Sequence, residues 1–197
     1  VSPVLDRVRA HLHRHFADAQ PDSASVTFLG TEPIEVLRFR GSGGVVRYVS
    51  LGCSRYPMTD PTQIVDDQTR GPRAEVVLSL RDPGPVTGIA RSLAVLAATP
   101  AVEGLVLTAD ALVDLGSPLW AASAGPVPFT AVLLGPNNID DLPLEPPRDP
   151  VQFLSATPIT ATEAAWVRLK GAEAMRQAWQ NDGVDVLNPN RPAAQPR

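Results

Sequence analysis

Polar and apolar positions along this chain repeat with two different periods, and the changes of period mark its elements. Leu5, Val8, Leu12 and Phe16 recur at helical spacing behind Ser2-Pro3, a candidate N-cap hydroxyl followed by proline at the first helical position. A helix is expected from there to about Asp18. Two β-branched and aromatic runs, 34–40 and 45–51, flank Gly41-Ser-Gly-Gly44 and predict a β-hairpin. Residues 73–81 alternate, with Ala74, Val76, Leu78 and Leu80 on one face and Arg73, Glu75, Ser79 and Arg81 mainly on the other. Val86, Ile89, Leu93 and Leu96 return to helical spacing and predict a second helix, closed by Thr99-Pro100. Short strands are expected at 105–107 and 112–115, a firmer one at 129–134, and the last at 151–156. Thr160-Ala-Thr-Glu163 has the spacing of a capping box, a hydroxyl with a carboxylate three residues on. It opens the longest expected helix, to about Gln180, with Trp166, Leu169, Ala172, Met175 and Trp179 along one side.

Between these elements, 53–72 forms a long polar loop holding Pro57, Pro61, Asp66, Asp67, Gly71 and Pro72. A loop of that length inside a compact domain is usually functional or mobile. Residues 135–150, rich in Pro, Asn and Asp, read as a connection within the domain. From Val186 onward the chain is mostly Asn, Pro, Ala and Arg with nothing to bury. The expectation is a single domain over 1–185 and a disordered tail over 186–197.

Composition narrows the class of function. The chain has 197 residues, enough to bury a core without staples. Its net charge of −4 supplies no field to gather nucleic acid or an anionic membrane. Cys53 is the sole cysteine, so no intramolecular disulfide can form. No apolar run approaches a membrane span of about 20 residues. The N-terminus lacks the basic-then-apolar layout of a signal peptide, and the expected location is cytoplasmic.

Candidate chemistry is sparse. His11, His13 and His15 all fall on the first helix, and His11 and His15 stand four apart, a spacing that can place two imidazoles on one metal. No third ligand lies near, and packing beside the apolar stripe is the expected role. Cys53 needs a base to act as a nucleophile, and none is close in sequence. Gly41-Ser-Gly-Gly44 lacks the Gly-Lys-Ser/Thr ending of a phosphate loop and joins two strands. The acidic pairs Asp66-Asp67 and Asp140-Asp141 lack the alternating oxygen spacing of a calcium loop. Tyr56, in a Pro-bearing loop, and Trp120, in the connection after Ser117-Pro118-Leu119, are the aromatics expected at an interface.

The order of these features resembles the Suppressor of fused family, specifically its N-terminal domain and its single-domain bacterial relatives. The resemblance begins at Arg47-Tyr-Val-Ser-Leu-Gly-Cys-Ser54, similar to a strand ending in an aromatic-x-Ser-x-Gly-x-Ser signature. It continues through Ala74-Glu-Val-Val-Leu-Ser-Leu80, a helix near 87–98, the segment 104–113, Ser117-Pro118-Leu119 and the apolar strand 129–134. It closes with Val151-Gln-Phe-Leu154, Pro158-Ile-Thr160 and Glu163. The resemblance implies an α+β fold, an α/β/α sandwich whose central mixed, largely antiparallel sheet is flanked by helices.

It also implies protein binding rather than catalysis, without a cofactor. The animal homologue sequesters a zinc-finger transcription factor, and bacterial relatives have been proposed as immunity proteins against polymorphic toxins. The partner expected here is therefore another protein, such as a toxin domain, met by Tyr56, Asp66, Asp67, Asp110 and Trp120. The oligomeric state is left open. Two other classes stay in view: a small-ligand or hydrolytic site built from Arg55, Glu75 and a loop acid, and an oligomerisation surface on the same loops.

Overall fold

A computed structural model describes residues 2–18, 20–63, 67 and 69–196. The amphipathic stripe near the N-terminus forms helix α1 (Pro3–Phe16), with Pro3 in its first turn and no capping bond from the Ser2 hydroxyl. An extended segment, β1 (Asp22–Val26), then leads to the expected hairpin, β2 (Ile34–Arg40) and β3 (Val45–Leu51), and to the alternating run, β4 (Arg73–Arg81). Helix α2 (Ile89–Glu103) and the short β5 (Leu112–Asp114) follow. A small two-stranded hairpin comes next, β6 (Ala121–Ala122) with β7 (Gly125–Pro126). Then come β8 (Phe129–Pro136) and β9 (Val151–Thr160), and helices α3 (Ala161–Lys170) and α4 (Ala172–Asn181) complete the fold.

The seven main strands lie in the order β1-β2-β3-β4-β9-β8-β5. Each neighbouring pair is antiparallel except β4 with β9, which is parallel. Both faces are covered, because alternate residues of the inner strands feed cores on opposite faces. Val36, Tyr48, Val76, Leu78 and Val132 pack with Leu93, Leu96 and Ala97 of α2. Leu37, Phe39, Val49 and Val77 pack with Val4, Val8 and Leu12 of α1. Further along that second face, Ala131, Leu133 and Ile159 pack with Ala164 of α3 and with Met175 and Trp179 of α4. This is the expected α/β/α arrangement around a mixed, largely antiparallel sheet. Among the described residues no helix is long and apolar enough to cross a membrane.

Five expectations need correction. Helix α2 does not stop at Thr99 but runs through Pro100. A proline has no N–H for the carbonyl four residues back, and the Thr99 hydroxyl donates to that carbonyl, Leu96 O, at 2.8 Å. Residues 105–107 form no strand. The buried Leu107 N–H donates to the Met58 sulfur at 3.3 Å instead of to a neighbouring strand.

The last strand runs four residues past Ala156 because β8 pairs along it as far as Thr160. The longest helix is two helices, broken at Gly171 (φ 92°, ψ 166°), a conformation essentially reserved for glycine. The break turns Ala172, Met175 and Trp179 onto the sheet and leaves Leu169 at 74% exposure. Finally, the stretch after Val186 does have something to bury. Arg191 and Ala194 are 4% and 5% exposed, so residues 191–194, within the segment expected to be a disordered tail, are packed against the domain.

Candidate functional site

The opening of the 53–72 loop is held by two side chains of β4, one taking its amide hydrogens and the other supplying hydrogens to its carbonyls. Glu75 is completely buried. Its Oε1 accepts from the Gly52 N–H at 2.9 Å, the Ser54 N–H at 2.9 Å and the Ser54 hydroxyl at 2.6 Å. Its Oε2 accepts from the Ser50 hydroxyl, whose oxygen in turn accepts from the Val76 N–H at 3.0 Å. Two residues earlier on the same strand, Arg73 donates to the carbonyls of Ser54 at 2.8 Å and Arg55 at 2.9 Å.

Thus Ser50, Gly52 and Ser54, the spaced residues of the motif that ends β3, are the donors to one carboxylate on β4. Gly52 is required twice over. Its φ is 157°, and a Cβ there would stand 3.1 Å from the Ile34 Cα. Burial pushes the Glu75 carboxyl above the ordinary range, against the pull of the backbone and hydroxyl donors.

This hub builds one wall of a groove of about 490 Å³. Ile34, Gly52, Cys53, Tyr56 and Met58 line it on one side, and Ala97, Ala98, Pro100 and Ala101 of α2 on the other. Met58 is fixed by its N–H on the Pro72 carbonyl at 2.8 Å. Arg55 bridges to the loop between β1 and β2, pairing with Glu32 at 2.9 Å and donating to the Pro33 carbonyl at 3.1 Å. The hydrogen bond from Arg55 to Glu32 holds the Glu32 carboxyl below its usual range. Tyr56 stands at the mouth, 57% exposed.

The residues singled out in the sequence do not all meet here. Tyr56 lines the groove. Asp67 lies on the same loop, its Oδ1 accepting from the Thr69 N–H at 2.9 Å, the Thr69 hydroxyl at 2.6 Å and the Arg70 N–H at 3.2 Å. The Thr69 bonds hold its carboxyl below the usual range. Asp66 lies outside the described residues.

Asp110 is not part of the groove. It sits beside β5 with φ at 72° and pairs with Arg176 of α4. Trp120, expected at the surface, is 2% exposed. The connection folds back through Leu119 N–H to Phe129 O at 2.9 Å and Val127 N–H to Trp120 O at 3.1 Å. The indole is thereby laid against Phe129 at 5.4 Å.

Nor do Arg55, Glu75 and a loop acid converge on a ligand. Glu75 is enclosed by its donors and does not line the groove, and Arg55 is taken by Glu32. Burial and the Glu75 charge push the Cys53 thiol well up, which disfavours thiolate. The histidines are engaged elsewhere: His11 on the Asp140 carbonyl at 2.8 Å, and His13 and His15 edge-on to Phe39 and Phe16. No group of three or more His, Cys, Asp or Glu is gathered for a metal among the described residues.

A second buried carboxylate closes the fold. Glu163 completes the capping box with Thr160. It also accepts from Trp179 Nε1 at 3.0 Å, from Arg191 at 2.9 and 3.1 Å, and from the Ala194 N–H at 3.2 Å. Burial pushes this carboxyl up, but the donors Arg191, Thr160 and Trp179, with the Arg191 charge, together carry it below the ordinary value of 4.5.

A depressed folded value means stability that is present above 4.5 and lost as pH falls through the folded value. Urea denaturation between pH 7 and pH 3 is therefore expected to show stability falling on the acid side, with a shallower fall in Glu163→Gln. Glu75 acts with the opposite sign, since its raised value makes charging the buried group unfavourable as pH rises. An equal acid slope in both proteins would exclude Glu163 as the source.

A sequence model of the Suppressor of fused protein (SUFU) family matches residues 30–192. No curated protein sequence matches the chain. Among solved structures, one described as a SUFU homologue from Neisseria gonorrhoeae FA 1090 is similar at 18% identity and a TM-score of 0.67, over 96% of each chain. A chain of the Sufu–Fu complex is similar at 15% identity and a TM-score of 0.71, over 98% of this chain and 92% of that one. Drosophila Suppressor of Fused gives 15% identity and a TM-score of 0.70, over 98% of this chain and 51% of that one. At these identities the likeness establishes the fold.

Proposed function

The chain belongs to the Suppressor of fused family, and from that premise we propose that it is a non-enzymatic protein-binding domain that sequesters a partner protein in the cytoplasm. The observation that carries this reading is the exposed Tyr56 at the mouth of the groove, on a loop whose first residues are pinned by Glu75 and Arg73. A preformed wall lowers the ordering cost of association, and an exposed tyrosine brings contact area with few rotors to freeze. That a similar chain is found in a Sufu–Fu complex supports binding as the class of function.

The finer form of the proposal is a toxin-neutralising immunity protein. Its support is the net charge of −4, which suits capture of a basic toxin domain. Tyr56 and Asp67 are the proposed contact residues on the described part of the loop, with Asp66 beside them in sequence.

Co-purification with the product of a neighbouring gene tests the reading. Binding tighter than about 10 µM, worth ~7 kcal/mol, supports it, and the absence of any such product removes the immunity form. Tyr56→Ala is expected to weaken that complex about tenfold or more, as truncation of an interface anchor does. The melting temperature should hold nearly constant, since an exposed substitution changes stability by no more than about 0.5 kcal/mol. Calorimetric titration of both proteins reads the difference.

A further inference from the structure

Four of the large exposed hydrophobic side chains belong to the segments that border the groove. Five large hydrophobic side chains are exposed among the described residues: Leu29, Tyr56, Val102, Leu105 and Leu169. Tyr56 lines the groove, and Leu29 and Val102 are each next in sequence to a lining residue, Gly30 and Ala101. Leu105 follows at the same end of α2, behind Gly104. Exposed apolar side chains grouped around a cleft mark an interaction site more often than scattered ones do.

Charge says what kind of occupant fits. The last turn of α2 carries no basic residue, so the negative end of that helix is left uncompensated, with Glu103 beside it. The opposite rim holds Glu32, already paired with Arg55. The connecting loop adds Asp60, whose neighbour Pro61 packs against Gly104 at the end of α2. A second copy of the chain would bring the same acidic rim and the same net charge of −4, which disfavours self-association through this face.

We propose that the groove between the 52–59 loop and the C-terminal end of α2 receives a segment of a partner protein with one large apolar anchor flanked by lysine or arginine. This rests on the protein-binding reading and adds to it the place and the chemistry of the contact. The volume of about 490 Å³ is ample for such an anchor, within the roughly 300–1,000 Å³ of preformed ligand pockets. The basic flanks would meet Glu103 and the helix end.

Selection of short random phage-displayed peptides on the immobilised full chain tests it, with affinities then read by fluorescence anisotropy. The expected winners carry Leu, Phe or Trp between basic residues. Ala101→Trp, at an exposed lining position, should weaken them tenfold or more. Glu103→Arg should weaken them about threefold, by less at 0.5 M salt, and circular dichroism should show both variants folded. Acidic or uncharged winners, no winners, or winners indifferent to Ala101→Trp would each overturn the inference. The two readings fail separately: a neighbouring-gene product that binds wild type and Ala101→Trp equally removes this site and leaves protein binding standing, whereas a chain that binds no protein loses both.

Discussion

Glu75→Ala is expected to destabilise the domain by at least about 3 kcal/mol, because it leaves several buried donors without an acceptor at about 1–3 kcal/mol each. The groups affected are the Ser50 and Ser54 hydroxyls and the Gly52 and Ser54 amides. A domain of this length loses roughly 2–4 °C of melting temperature per kcal/mol, so a drop of about 6 °C or more should appear in calorimetry. Glu75→Gln keeps a carbonyl oxygen for the amides and should lose clearly less, since the Ser50 hydroxyl can turn to accept. The loss has a local counterpart. Amide exchange over 52–58 should rise in Glu75→Ala more than exchange in α4, because the carboxylate holds that loop directly. Equal stability of the alanine variant and wild type would mean the hub carries no load.

Arg191→Ala is expected to be comparably severe, at about 3–5 kcal/mol, the usual effect of removing one partner from a buried ion pair. The charge left behind would be that of Glu163, which is fully buried. The substitution also strips a donor from the Pro158 carbonyl, bonded at 2.8 Å, and a cation from the Trp179 ring at 5.7 Å. Chemical denaturation of the two proteins measures it. Truncation just before Arg191 should match the point substitution, because the docking of the last residues depends on that guanidinium. A shift below 1 kcal/mol would show instead that the segment after Val186 is held by other contacts.

Which parts of this were legible in the sequence follows from where the information lies. The hairpin of β2 and β3 could be read because alternation and a glycine turn are local signals. The Thr160–Glu163 capping box could be read for the same reason. Strand β1 could not. Asp22-Ser-Ala-Ser-Val26 has no apolar alternation, is mostly exposed, and exists because it pairs with the edge of β2. Pro100 reads as a helix stop by its missing N–H, and only the Thr99 hydroxyl explains why the helix continues.

The candidate site was half visible. Ser50, Gly52, Ser54 and Glu75 stood out as two separate short motifs, yet their meaning depends on β3 lying beside β4. Arg191 gave no signal at all, since an arginine in a Pro- and Asn-rich stretch looks solvated until Glu163 is placed beneath it. Trp120 failed for a related reason, as the β6–β7 hairpin that folds it inward is only two residues deep on each side.

The proposed function rests on partners meeting this domain at the groove whose wall Glu75 and Arg73 hold in place. Amide hydrogen exchange of the chain, alone and saturated with the captured partner or the best selected peptide, reads that contact without any substitution. Docking at the groove should add protection over 30–34, 52–59 and 97–105, with α3 and α4 unchanged. Protection confined to α3, α4 or the β1 edge, with the groove segments exchanging as in the free protein, would contradict it.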